Sequence, residues 1–476
     1  MPKVAIVGGG PNGVIAANLL ISSGLRDLQI DLFGSGTWGH GLVYGDNELA
    51  SARQSFTNQN MGVSPRDDQA LIVWIDNNKQ RLMNSFPEDD LGPDSFPPRQ
   101  IIGKYFADQI DWAVAQAEHH RVAFNLHCKR VCSVSPNISG GYTIQSEDYS
   151  QVVDGVFFCL GNFPPAWGSH LNGQPGYYPE IWGKQVLNEV GSEDKVLIIG
   201  SGLSSIDLLW GLHDIGHKGE VVFASRNGLL PSVQARRILF DLPGVFTDMA
   251  AQERVSFAQL YQELDRVLGS QNSSADWNTP AWEDFDTNGQ DESTAQALVR
   301  KLGTLMPAIW ERMDDRSKTL FDQHLGAWWN SIHLPMAQHS ARLVRQEIDC
   351  GRLQIERLEE VKSKKNGRFL ASFIGKPNQQ FGFDYCFNAT GRNLQVQSID
   401  DPLIRSILVQ ELFLPDPAGG FRVDPATGRS TTEKGAGCYM IGPLTRGSCF
   451  YTYVLSQNAK QAEQATTDWK ARISAS

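Results

Sequence analysis

The sequence predicts an α/β protein with two Rossmann-like dinucleotide-binding domains and a helical insertion. Three observations lead there. "KVAIVGGGPNGVIAANLL" (Lys3–Leu20) reads as a buried strand, a glycine-rich turn and a helix. The same pattern returns at "KVLIIGSGLSSIDLLWGL" (Lys195–Leu212). At 476 residues, the chain is too long for one compact core and suggests two or three domains.

The elements follow in order. Val4, Ala5, Ile6 and Val7 form a continuous apolar run, as a strand buried on both faces requires. Val14 to Leu20 continue as a helix, and "LQIDLFG" (Leu28–Gly34) is the next strand, completing a βαβ unit. From about 190 to 230 the pattern restarts, ending in the strand "EVVFASR". Helical spacing dominates about 245–335, in "FAQLYQELDRVL" and "SKTLFDQHLGAWWNSI". The polar, acidic "SQNSSADWNTPAWEDFDTNGQDES" (Ser270–Ser293) between them is expected to be a surface loop. Strand-rich sequence returns after 350 and the chain closes in a helix over Tyr453–Ile473. The expected domains are 1–190 (first dinucleotide-binding domain, first part), 191–380 (second dinucleotide-binding domain, with the insertion) and 381–476 (first domain, return segment and last helix).

Composition narrows the function. Lys and Arg number 42 against 53 Asp and Glu, a net charge of −11, and no basic patch stands out, so nucleic acid is not an expected partner. No apolar run approaches the ~20 residues of a membrane span. Met1-Pro2-Lys3 leads straight into a strand, so no signal peptide is expected and the location is read as cytoplasmic. The seven cysteines include no CxxC pair; Cys128 and Cys132 are the nearest approach, and reduced thiols are the expectation.

The two glycine turns carry the chemistry. In Gly8-Gly9-Gly10-Pro11-Asn12-Gly13, Gly8 permits the tight turn, Gly10 lets the backbone approach a pyrophosphate, and Gly13 lets helix and strand close. The helix N-terminus then offers free N–H groups and a positive dipole end. The second turn is Gly200-Ser201-Gly202-Leu203-Ser204-Ser205, with serine at the third small position. An acid at the end of the following strand would bind a ribose hydroxyl, whereas an Arg favours a 2′-phosphate. Ser225 and Arg226 occupy that place, which favours NADPH over NADH; the alternative is a solvated Arg at a strand end. After the first turn, Gly34 stands where a Glu is expected. Asp31 lies three residues earlier, and Ser35 or a backbone group is the expected substitute.

These segments resemble the two-dinucleotide-binding-domain flavoproteins, in particular the FAD/NADPH-dependent monooxygenases that include the ornithine, lysine and aspartate N-hydroxylases. The likeness rests on "GGGPNG", "GHGLVYG" (Gly39–Gly45), "FPPRQIIGKYF" (Phe96–Phe106), "FFCLGNFPP" (Phe157–Pro165), "GSGLSS", "ASRNGLLP", "FNATGR" and "IGPLTRG". It implies FAD at the first turn and NADPH at the second, with Thr390 and Gly391 in the chain-crossing segment and Gly442 and Leu444 in the segment closing on FAD. It also implies a C4a-hydroperoxyflavin that passes oxygen from O2 to a small amino acid or related amine. Asn58, Gln59 and Asn60 are the expected flavin-facing residues. A substrate carboxylate would need a cation, and Arg66, Arg99, Lys104 and Arg446 are the candidates, with Arg53 behind them. No catalytic side chain and no metal is nominated, because the flavin would carry the hard steps. The alternatives are an NADPH-dependent flavin oxidoreductase serving another substrate or partner, and a nucleotide-binding regulator without turnover. The Baeyer–Villiger fingerprint and the disulfide-reductase CxxC are both absent from the sequence.

Overall fold

A computed structural model describes residues 1–49, 51–87, 89–269, 291–363 and 367–475. The chain is α/β and divides into two compact units. The first comprises 1–48, 56–163 and 393–476, and the second comprises 49–55 and 164–392.

The first unit is built on a parallel five-stranded sheet in the order Cys438–Met440, Gly155–Phe158, Lys3–Val7, Leu28–Gly34, Val122–Cys128. Its central strands are apolar because both faces are covered, one by helices and the other by a small antiparallel sheet with the helix Pro402–Val409. Val4, Ala5, Ile6, Phe157 and Phe158 are fully buried. The first helix, Pro11–Ile21, buries Val14, Ile15, Ala16, Leu19 and Leu20 on the sheet. The final helix, Leu455–Ala475, packs beside it and brings Trp469 edge-on to Phe157, with ring centroids 6.2 Å apart. That approach requires a glycine at 155, since a Cβ there would lie 2.3 Å from the indole nitrogen of Trp469. A small antiparallel sheet (Ser133–Pro136, Tyr142–Ser146, Tyr149–Val153) completes the unit.

The second unit has a seven-stranded sheet in the order Phe381–Phe383, Phe369–Phe373, Leu353–Ser363, Val221–Ser225, Val196–Ile199, Tyr385–Asn388, Tyr177–Tyr178. The last five of these run parallel. Helices from Gly244–Ala251 to Gly326–His333 fill the expected insertion. Trp310, Phe321 and Trp329 are fully buried among them and pack edge to face. The expected acidic loop at 270–293 lies outside the described residues through position 290.

Two boundaries differ from expectation. The first unit closes at Phe163 rather than at 190, because Tyr177–Tyr178 joins the second sheet beside Tyr385–Asn388. For the same reason the return segment begins at Asn393 rather than 381, since Tyr385–Asn388 is itself a strand of the second sheet.

Candidate functional site

Both glycine turns sit where the order of a parallel sheet reverses. Connections leave in opposite directions there, and a crevice opens beyond the carboxyl ends of the strands. The first turn lies between neighbours Leu28–Gly34 and Gly155–Phe158, and the second between Val221–Ser225 and Tyr385–Asn388.

In the first turn Gly8 has φ +121° and a Cβ there would lie 2.1 Å from the Cys159 carbonyl oxygen. A Cβ on Gly13 would lie 1.9 Å from the Gly8 carbonyl oxygen, so only glycine lets the helix start this close to the strand. The helix is N-capped by Gly10, receives no side-chain cap and has no acid in its first turn. Its leading N–H groups remain available to an anion. Burial pushes the Cys159 thiol up, so this neighbour of the turn stays protonated.

A loop after the second strand covers this turn. The Gly39 N–H donates to the Gly9 carbonyl at 2.8 Å, and a Cβ on Gly10 would meet the Gly41 Cα at 3.2 Å. The Trp38 ring fills the notch between Gly9 and Gly34, where added Cβ atoms would lie 2.7 and 2.8 Å from it. Gly34 is therefore the price of seating Trp38, and an acid at that position would collide with the indole. Asp31 does not replace it. Its carboxylate is 1% exposed and is bonded by Gln29, Asn125, His127 and Gln151 at 2.8–3.0 Å. Ser35 is exposed and its hydroxyl contacts Thr37 at 3.2 Å.

The second turn repeats the geometry with less cover. Gly200 has φ +124° and closes against the Ala389 carbonyl, 2.5 Å from an added Cβ. Gly202 caps the helix Leu203–Asp214, which again has no side-chain cap and no acid in its first turn. A Cβ on Gly202 would meet nothing within 4 Å among the described residues. Ser204 is half-buried in the first turn, and the Ser205 hydroxyl is buried with no hydrogen-bond partner among the described residues. Thr390 and Gly391 follow Ala389 at this turn, so "NATG" belongs to the second unit. The Thr390 hydroxyl bonds Asn388 at 2.7 Å, and Gly391 has φ +98°. The Ser225 hydroxyl is engaged internally, sharing a 2.8 Å hydrogen bond with Ser201 and accepting from the Gly228 N–H at 3.0 Å. Arg226 is exposed.

The other candidates divide. Gly442 docks beside the first turn, where its Cβ position is 2.5 Å from the Asn12 amide nitrogen, and Leu444 is buried behind it. Asn58 donates its amide to the Leu91 and Gly92 carbonyls at 3.2 and 2.8 Å, while its Oδ1 is buried without a protein partner. Gln59 instead binds Asp94 at 2.5 Å and Asn60 binds Thr57 at 2.7 Å, so both side chains pin local loops. Arg66 is paired with Glu463 at 2.7 Å and Lys104 with Asp46 at 3.1 Å, so each already has a carboxylate partner in the protein. Arg99 opens the helix Arg99–His119. Arg53 falls in the second unit. Arg446 is 8% exposed, with its guanidinium 5.0 Å from the Phe450 ring centre. Sequence reasoning missed Thr452 and Asn458, whose side-chain oxygens are also buried with no hydrogen-bond partner among the described residues. Such atoms, with the uncapped helix ends, fit polar ligands of the dinucleotide kind.

A family model described as FAD-NAD(P)-binding matches residues 5–163. The uncharacterised Escherichia coli (strain K12) protein YdhS is 24% identical over 213 residues, 44% of this chain and 38% of that protein. The match thus spans well under half the length of that curated relative. Among solved structures, the chain resembles an ornithine hydroxylase from Pseudomonas aeruginosa at 14% identity and TM-score 0.60, covering 99% of each chain. An ornithine N-hydroxylase from Kutzneria sp. 744 aligns at 14% identity and TM-score 0.58, again over 99% of each. This likeness is one of fold. Among the described residues, no helix is long and apolar enough to cross a membrane.

Proposed function

We propose that this chain is an FAD-dependent, NADPH-consuming monooxygenase that N-hydroxylates a small amino acid or related amine. The observation that carries this reading is the pair of uncapped helix N-termini, each behind a glycine turn at the switch point of its own parallel sheet. Two such cradles suit two pyrophosphates. On this reading FAD lies at Gly8–Gly13 with Asn12 beside it, and NADPH lies at Gly200–Ser205 with its 2′-phosphate toward Arg226.

Bound flavin would supply the redox and oxygen-activating chemistry. The protein's own part is to hold, orient and keep dry. Asn58, Thr452 and Asn458 offer buried oxygens to the flavin's polar edge. Arg446, on the segment that docks beside Asn12, is the proposed anchor for a substrate carboxylate, because a guanidinium binds one bidentately. An amine anchored there would approach in a fixed orientation, and the chemistry would require water to be kept away from the reacting centre. The protonated Cys159 leaves no thiolate beside the first turn to act as an electron relay. O2 and a small amine are the proposed co-substrates, and a cytoplasmic location is part of the same reading.

The test is to purify the protein, identify any released flavin, and follow NADPH consumption across amino acids and short amines. Substrate-stimulated consumption with a hydroxylamine product is expected. A colourless protein, or peroxide alone with every amine, would overturn the proposal.

A further inference from the structure

The strand Leu353–Ser363 runs parallel to Val221–Ser225, and its Arg357 stands directly opposite Ser225. Arg226 is the next residue, so two arginines meet where the Val221–Ser225 strand ends. The Arg357 Nε lies 3.5 Å from the Arg226 carbonyl oxygen. Its stem crosses Gly228, whose Cβ position is 3.2 Å from the Arg357 Cγ. Both arginines are exposed.

The surrounding charges matter. Among the described residues neither guanidinium forms an ion pair with a carboxylate. The nearest acid along the strand, Glu356, points to the opposite face and is paired with Lys376 at 2.6 Å. Two adjacent like charges repel, and this arrangement is stabilised when an anion lies between them. The Ser225 oxygen already accepts from the Ser201 hydroxyl and the Gly228 N–H, so the two guanidiniums are the charged donors that an anion here would meet.

We infer that Arg357 completes, with Arg226, a two-guanidinium site for the 2′-phosphate of the nicotinamide cofactor. The inference rests on the NADPH assignment above and adds a residue from a different strand, contributed by sheet pairing rather than by the glycine turn. One phosphate dianion would receive donors from both sides and neutralise both charges.

The probes are 2′,5′-ADP and 5′-AMP, which differ only in the 2′-phosphate, titrated calorimetrically into the flavin-loaded protein. Arg357→Ala should weaken 2′,5′-ADP about tenfold, the low end for a hydrogen bond to a charged group, and leave 5′-AMP within about twofold. Arg357→Lys should recover only part of the loss, since an ammonium cannot reproduce the fork. Equal weakening of both probes would make Arg357 a prop of the turn and overturn the inference. Unchanged 2′,5′-ADP binding in Arg357→Ala, with Arg226→Ala still discriminating, would also overturn it while leaving the NADPH assignment intact. Wild-type protein that binds the two probes equally would remove the NADPH assignment and this site together.

Discussion

The first glycine turn is covered and the second is open. Gly9, Gly10 and Gly34 are all pressed by the loop that carries Trp38, Gly39 and Gly41, whereas no described residue comes within 4 Å of a Cβ placed on Gly202. The third small residue differs in the same sense. Gly13 cannot carry a Cβ, because the Gly8 carbonyl lies 1.9 Å away, but Ser205 carries one with a hydroxyl besides. A turn closed by its own loop suits a nucleotide that is retained. An open turn suits one that arrives, reacts and leaves. The difference between a prosthetic group and a co-substrate is thus written in how each cradle is packed.

The contrast can be broken most severely at Gly13. Gly13→Ala should cost about 3 kcal/mol or more, since backbone rather than a flexible side chain stands in the way. Thermal unfolding and flavin content should both fall; a variant with unchanged melting and full flavin would refute the close-packing account. Ser205→Ala at the matching position should be tolerated.

Acid should separate the units next. Burial holds the His333 imidazole, in the insertion of the second unit, down at about 4. Its folded value lies below the ordinary 6.5, so the unfolded chain takes the proton first. Stability therefore falls as pH drops from about 6.5 to about 4, by up to about 3 kcal/mol. Denaturant titrations across that range should show the slope in the wild type and lose it in His333→Phe. A slope that persists in the variant would assign the acid sensitivity elsewhere.

Trp38→Ala should act on the first turn alone. Removing the half-buried indole uncovers Gly9 and Gly34 at a cost of about 2 kcal/mol, below that of a fully buried Trp. Flavin should dissociate faster while nucleotide binding at the second turn is unaffected, as fluorescence of released flavin would reveal. The smallest stability change belongs to Gly202→Ala. With nothing within 4 Å of the new methyl, melting should shift by less than about 0.5 kcal/mol. NADPH KM should nevertheless rise, because the methyl fills the approach that a pyrophosphate needs. An unchanged KM would mean that no phosphate comes to this turn.

Much of this was legible in the sequence because it is local. Strand, turn and helix are adjacent in both cradles, and their periodicity and glycines announce them. The missing acid at Gly34 was visible, but its cause was not, since Trp38 reaches back across the turn only in three dimensions. The ion pair of Arg66 spans nearly the whole chain to Glu463, and nothing near Arg66 signals it. Lys104 and Asp46 are likewise distant in sequence. "NATG" was read from resemblance as the segment that crosses back to the first unit, and the chain does change units directly after it, between Arg392 and Asn393, while Tyr385–Asn388 still pairs with Val196–Ile199. Arg357 was invisible because parallel register, not spacing, sets it opposite Ser225.

The interrupted chain path of the first unit also has a consequence for synthesis. Its edge strand Cys438–Met440 pairs with Gly155–Phe158, made long before, and the whole of 164–392 emerges from the ribosome in between. The second unit can therefore finish folding while the first still lacks a strand and its last helix. At about 5–20 residues per second, the first unit then waits several seconds more for residues 393–475, with the flank of Gly155–Phe158 unpaired. The nascent chain is most open to chaperones, and to wrong strand partners, in that interval.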